Sequence, residues 1–278
     1  MADTMTPPVR LPAPGEIIVI AMLALLLAAA LFGPAIAPYD PLATNAPAAM
    51  TPPSAAYWFG TDQLGRDIFS RTLAAARVDL AMSFAAVLAS LVFGSLLGCI
   101  AGWTGGWTDT LVTRALDTIM AFPLFVLAVG IAAVLGNSIE SVVVATVIVN
   151  LPFYARQTRT EVNRRRGSGY VEAAQLAGLP GWRIVAFHIL PNLVPPLMVQ
   201  SSLNMGWAIL NAAGLSFIGL GIRPPQPEWG IMVADGATYI FSGEWWTFVF
   251  PGAALAFAVL TFALLGDTLR DLLDPRSA

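Results

Sequence analysis

The chain has 278 residues, of which 57% are hydrophobic and 11% charged, with a mean hydropathy of +0.72. A soluble globular protein carries about 25% charged residues, so this composition excludes a water-covered surface and specifies a membrane protein. The 14 basic residues, all arginine, nearly balance 17 acids for a net charge of -3, which gives no overall basic character and predicts no nucleic-acid partner.

A membrane-crossing helix needs about 20 mostly apolar residues to span a hydrocarbon core of about 30 Å. Six stretches qualify in chain order: Ile17 to Ile36, Leu80 to Ala101, Thr118 to Leu135, Ile139 to Tyr154, Asn192 to Leu220 and Thr247 to Leu265. The fourth is short, with only the turn Gly136, Asn137, Ser138 between it and the third. Ala35-Ile36-Ala37 has the small-residue pattern of a leader cleavage site. The apolar run is too long for a leader, and Pro38 would follow the scissile bond, so the first span is expected to stay as an anchor. The expected organisation is an all-α membrane protein: a tail over 1–15, a first helix over 16–37, and an extracytoplasmic loop and interfacial segment over 38–79. A five-helix core follows over 80–266, including a cytoplasmic loop over 156–191, and then a tail over 267–278.

Arginine placement sets the orientation. Arg156, Arg159, Arg164, Arg165, Arg166 and Arg183 mark the segment between spans four and five as cytoplasmic. Six spans then leave both termini cytoplasmic, in keeping with Arg10, Arg270 and Arg276. Outside lie the stretch from Pro38 onward and the loop Gly221 to Trp246, where Arg66, Arg71, Arg77 and Arg223 are interspersed with Asp62, Asp67, Asp79 and Glu228.

Several chemistries are excluded. Cys99 and His188 are the single cysteine and histidine, so neither an internal disulfide nor a Cys/His metal cluster within the chain is possible. Without lysine there is no G-x-x-x-x-G-K-[ST] phosphate loop, no Schiff base and no Ser-Lys pair. Any ATP used must bind another chain, and no cofactor or metal is expected here. No span interior carries a charge, since Asp117 and Glu140 fall at span edges and Asp267 follows the last. That counts against a proton-coupled transporter, which needs a carboxylate or histidine at depth. The polar groups at depth, Asn150, Gln200, Ser201, Ser202, Asn204 and Asn211, either bond between helices or line a translocation path. Pro123, Pro152, Pro195, Pro196 and Pro251 each leave a carbonyl without its helical donor. Gly94 and Gly98 favour close approach of a second helix.

The cytoplasmic loop is the most specific signal. Gly169-Tyr170-Val171-Glu172-Ala173-Ala174-Gln175-Leu176-Ala177-Gly178 reads as a short helix ended by glycine, followed by a turn at Leu179-Pro180-Gly181. A second short helix, Trp182 to Leu190, leads through Pro191 into span five. Ala173, Ala174 and Ala177 lie beside Leu176, Leu179 and Trp182, with Glu172 near the helix start, where the dipole favours a negative charge. Such a surface either settles in a partner's groove or lies in the membrane interface.

Here the sequence resembles the inner-membrane permease subunits of binding-protein-dependent ABC importers. Their signature, E-A-A-x-x-x-G followed nine residues later by I-x-L-P, is matched by Glu172, Ala173, Ala174, Gly178, Leu190 and Pro191, with His188 in the isoleucine position. His188-Ile189-Leu190-Pro191-Asn192 resembles the dipeptide, oligopeptide and nickel branch. The block Phe59 to Arg71, with Gly60, Thr61, Asp62, Gly65, Arg66, Asp67 and Arg71, is similar to that before span two in the C-type permease of this branch, although Asp79 stands where serine is expected. Leu215 to Gly221, Pro227-Glu228-Trp229-Gly230 and Gly266 to Asp271 extend the likeness over nearly the whole chain after about residue 15.

The resemblance implies the type I importer permease fold and half of a pore for peptides or related solutes in the bacterial inner membrane. A homologous B-type permease would supply the other half. Two cytoplasmic ATPases would bind ATP and Mg, an extracytoplasmic binding protein would deliver substrate, and this chain itself would be non-catalytic. The element 170–191 would then dock on one ATPase and move spans four and five as a lever. The block 59–71 either caps and pairs locally to hold an interfacial helix or contacts the binding protein. Trp229, Tyr239, Phe241, Trp245 and Trp246 form an aromatic belt or a docking surface. His188 is expected to be a structural hydrogen-bonder. The rivals are a secondary transporter or channel without ATPases, an intramembrane enzyme, for which nucleophile-base pairs are nearly absent, and a membrane scaffold.

Overall fold

The computed structural model describes residues 13–273, so the expectations about Arg10, Arg276 and the outer parts of both tails fall outside the described residues. All regular structure in it is helical, apart from one isolated bridge between Thr61 and Asp67. Five helices are long and apolar enough to cross a membrane, or six if one bent pair counts as a single span.

The first, α1 (Pro14–Ile36), opens on a proline whose missing N–H costs nothing in a first turn. Leu25, Leu27, Leu31 and Phe32 stay exposed on it, as suits a helix facing lipid tails. The loop after α1 holds one short turn, Ala46–Ala48, and no interfacial helix. Helix α2 (Ile68–Thr104, 37 residues) instead begins twelve residues ahead of the expected span at Leu80. Asp67 caps it, accepting from Ser70 N at 2.8 Å and from Ser70 Oγ at 2.6 Å. Arg71 and Asp79 are buried against protein, so these charges continue the helix above the expected span.

The expected third span is not one rod. Helices α3 (Gly106–Ala121) and α4 (Leu124–Leu135) meet at 94°. Pro123 cannot donate to a continuing helix and pushes Phe122 into an extended conformation, at φ -86 and ψ 132. Helix α5 (Ile139–Arg166) runs well past Tyr154, so residues 156–166 of the expected loop are its last turns. Asp109 and Asp117 on α3 pair with Arg159 and Arg156 on α5, the latter at 2.5 Å.

Helix α6 (Gly169–Leu176) follows after two residues. Helix α7 (Gly181–Ile184) then passes through a wide turn and a tight turn into α8 (Val194–Phe217), giving one apolar helical run from Gly181 to Phe217. The expected second short helix, Trp182 to Leu190, is thus fused to span five. Its prolines are accommodated by side chains. Pro196 removes the donor that would serve Asn192 O, and Arg165 Nη2 supplies one at 3.1 Å, while Asn192 Nδ2 donates to His188 O at 2.7 Å. Helices α9 (Trp229–Ala237) and α10 (Trp246–Leu273) complete the chain.

Helix α2 forms the centre, packed by α1, α5 and α8. Its closest neighbour is α5, along Gly94, Gly98 and Gly102. A methyl group on Gly94 would lie 2.7 Å from Leu151 O and one on Gly102 2.9 Å from Arg159 O, while one on Gly98 would overlap Ala155 O. These carbonyls recur every four residues, so small side chains let the two backbones touch. On another side, a partly open groove of about 1430 Å³ is lined almost wholly by apolar groups, including Leu27, Phe84, Leu91, Met198 and Leu265.

Candidate functional site

The motif residues gather at two ends of the molecule. In the 169–191 element, Val171 and Ala174 are buried beneath α6, whereas Glu172, Ala173 and Ala177 are exposed and Leu176 is 90% exposed. Ala174 therefore anchors the helix instead of belonging to its outer surface. Gly178 has φ +79, and its amide donates to Gln175 O at 2.9 Å, closing α6 with the left-handed residue that glycine accepts without strain. A side chain at 178 would meet nothing within 4 Å. Trp182 and Phe187 are also exposed, and Leu190 and Pro191 lie at the exposed start of the run into α8.

Ile184 and Ile189 tie this element to the core, and Gly181 sits against the Trp103 indole at the end of α2. Arg166 covers the other part of that ring, at 5.8 Å from the centroid. Trp103 was not among the residues singled out from sequence, although its position at the end of a long apolar run is a readable cue. The His188 imidazole has no hydrogen-bond partner at its buried Nδ1, and the backbone carbonyl of His188 accepts from Asn192 Nδ2.

The block 59–71 builds a cap over the start of α2. Asp62 accepts from Leu64 N and Arg66 N and pairs with Arg66 Nε at 2.6 Å, with Arg71 Nε at 3.6 Å. Arg71 also donates to Pro41 O at 2.9 Å, and Thr61 donates to Ala48 O at 2.5 Å. Gly60 and Gly65 have positive φ, and a side chain on Gly65 would overlap Asn45 O. Asp235 on α9 faces the same cluster. Burial raises its carboxyl above the usual range, while Arg66, Gln63 and Arg71 oppose that rise.

The outer aromatics divide. Trp229 and Trp246 are buried, their indole N–H groups donating to Thr72 O at 3.0 Å and to Thr61 O at 3.2 Å, so neither belongs to an exposed belt. Phe241 and Trp245 are exposed, and Tyr239 is half-buried.

Of the polar residues at depth, Asn150 is buried and donates to Thr146 O within its own helix. Asn204 is buried and accepts from Gln200 Nε2 at 3.0 Å, beside the Tyr154 hydroxyl, which donates to Ser201 Oγ at 3.1 Å. Gln200 and Asn211 are half-buried on α8. Asn150 and Asn204 thus face neighbouring helices within this subunit.

Long apolar helices and a short helical element with an exposed apolar tip set the frame for the comparisons with known proteins. The family of binding-protein-dependent transport system inner membrane components matches residues 94–278, and the chain belongs to it. The probable D,D-dipeptide transport system permease protein DdpC of Escherichia coli is 42% identical over 92% of this chain and 86% of its own length. The dipeptide transport system permease protein DppC of Alkalihalophilus pseudofirmus is 42% identical over 89% and 81%, and the nickel transport system permease protein NikC of Escherichia coli 40% identical over 93% and 92%. Among solved structures, an inward-facing MetNI methionine ABC transporter matches with a TM-score of 0.59 at 18% identity, over 73% of this chain and 97% of that one. The fold is the type I importer permease fold, and the chain is a multi-pass, non-catalytic permease subunit of the inner membrane.

Proposed function

We propose that this chain forms half of a translocation pore for peptides or related small solutes, paired with a homologous B-type permease. Two cytoplasmic ATPases carrying ATP and Mg drive it, and an extracytoplasmic binding protein supplies it. Relatives named for dipeptide and nickel transport support this substrate range. Residues 80–266 act as the five-helix core, both termini face the cytoplasm, and Gln200 and Asn211 border the path with Asn150 and Asn204 behind them.

The coupling element comprises Glu172, Ala173, Gly178, Leu190 and Pro191, with Ala174 anchoring it from beneath. One observation carries it. Leu176 and Trp182 are 90% and 64% exposed on a short helical element whose opposite face is locked to the core. An apolar tip held rigidly out of its own protein fits a groove in a partner. Because α5 ends two residues before α6 and the 181–217 run follows, force on this tip reaches both helices as a rigid-body shift biased by ATP binding.

The test is co-purification in mild detergent of wild type and a Glu172→Arg, Gly178→Trp double variant, with every retained chain identified by mass spectrometry. A second permease and ATPases are expected with wild type, and the ATPases are expected to be lost from the variant. A lone or self-paired wild-type chain, under conditions where other ABC complexes survive, overturns the reading in favour of an autonomous transporter.

A further inference from the structure

Two carboxyl groups from distant parts of the chain meet in the interior. Asp79 on α2 is 2% exposed and Glu228, the residue that caps α9, is fully buried. They lie within hydrogen-bonding reach of each other. Glu228 uses both oxygens, Oε1 accepting from Gly230 N and Oε2 from Ile231 N, each at 2.8 Å. Asp79 Oδ2 accepts from Trp229 N at 3.0 Å. Three backbone amides therefore converge on the pair.

No cation does. Among the described residues, neither carboxyl has an arginine partner. On α2 and the preceding loop, Arg66, Arg71 and Asp62 form their own cluster with Asp235 of α9, and Arg71 Nη1 donates to Pro41 O at 2.9 Å and to Pro225 O at 3.5 Å. Arg77 and Arg223 are exposed. From α8, Ser216 turns its hydroxyl toward Glu228 without closing a hydrogen bond. Helix α10 meets α9 through Thr247, which donates to Gly236 O, with Glu244 just ahead of it, whereas Asp267, Arg270 and Asp271 are near its far end. Water has little room, because a methyl group on Gly230 would lie 2.5 Å from the Ala213 backbone.

Two ionised carboxylates cannot occupy such a place together. Their mutual repulsion adds to the cost of burying each charge, and one proton between them removes most of both. Both Glu228 oxygens already accept, whereas Asp79 Oδ1 has no backbone donor. We propose that Asp79 and Glu228 share a single proton, carried on Asp79 Oδ1 and donated to Glu228, and that this proton fastens the start of α9 to α2. Burial raises the Glu228 carboxyl above its usual range, the direction that a pair retaining a proton requires.

The sign of the pH dependence follows. The folded pair holds a proton that the unfolded chain releases above the ordinary carboxylate range. Folding is therefore favoured at low pH and loses that contribution as pH climbs through the raised titration of the pair.

The experiment is infrared spectroscopy of the purified transporter complex, with thermal unfolding followed between about pH 5 and about pH 8. Wild type is expected to show the C=O stretch of a buried protonated carboxyl at neutral pH and a midpoint that falls as pH rises. Asp79→Asn keeps an acceptor for Trp229 N and offers a permanent donor to Glu228. It should lose the band and flatten the pH slope. Asp79→Ser, whose hydroxyl also donates, should do the same and serves if the asparagine variant does not accumulate. Glu228→Gln should lower the midpoint at every pH, because an amide nitrogen cannot accept from Gly230 or Ile231. A wild-type spectrum without the band at neutral pH, a band retained in both Asp79 variants, or an unchanged pH slope would overturn the shared proton.

Discussion

The cap over the start of α2 and the 169–191 element are built from opposite materials. In the cap, Asp62, Arg66 and Arg71 are buried and paired, Thr61 and Asp67 bond to the adjacent chain, and Gly65 is pressed against Asn45. In the 169–191 element, Leu176, Trp182 and Phe187 stand in the open and Gly178 has empty space around it. Each region carries a family motif, yet one has closed its interactions internally while the other leaves them unfilled. A motif that satisfies itself shapes a surface, and the one that does not is where the proposed partner contact would fall.

The contrast is tested most strongly in the cap. Asp62→Ala leaves Arg66 and Arg71 buried without their carboxylate, and thermal or denaturant unfolding in detergent should show a loss of about 3–5 kcal/mol. Next comes Gly98→Val between α2 and α5, where added volume meets the Ala155 carbonyl. We expect destabilisation of about 1–3 kcal/mol by the same assay, with lower accumulation in the membrane. Arg156→Ala, which removes an ion pair with both side chains more than two-fifths exposed, should cost less than about 1 kcal/mol and less still in high salt. Leu176→Arg should change stability by no more than about 0.5 kcal/mol, since the side chain touches little of its own protein. The same variant should nonetheless lose its ATPases on co-purification. If Leu176→Arg unfolds the chain, or Asp62→Ala leaves it unchanged, the contrast between the regions fails.

Much of this was readable from residue order. The apolar runs of α1, α5, α8 and α10 stand out because lipid demands length and uniformity, and the spacing from Glu172 to Pro191 marks the cytoplasmic element. What stayed hidden depended on contacts across the chain. The early start of α2 is invisible when Arg71 and Asp79 are read as loop charges, because Asp79 meets Trp229 on α9 and Arg71 meets Pro225, each about 150 residues further along the chain. Pro123 was correctly suspect, but the right angle it makes needs Asp109 and Asp117 to hold α3 along α5. Pro195 and Pro196 suggested a break where the helical run continues, because Arg165 supplies Asn192 O with the donor that Pro196 lacks. Trp229 and Trp246 looked like interfacial aromatics until their indole donors met Thr72 and Thr61.

The glycines at 94, 98 and 102 bear on timing as well as fit. Ordinary helix pairs are separated by a layer of side chains that hop between rotamers, and this layer absorbs small displacements before a neighbour feels them. Between α2 and α5 that layer is missing, and backbone rests on backbone along three turns. Packed interiors compress very little. A displacement of α5 therefore reaches α2 with almost no slack, and the two helices should answer it as one stiff body, without a lag between them.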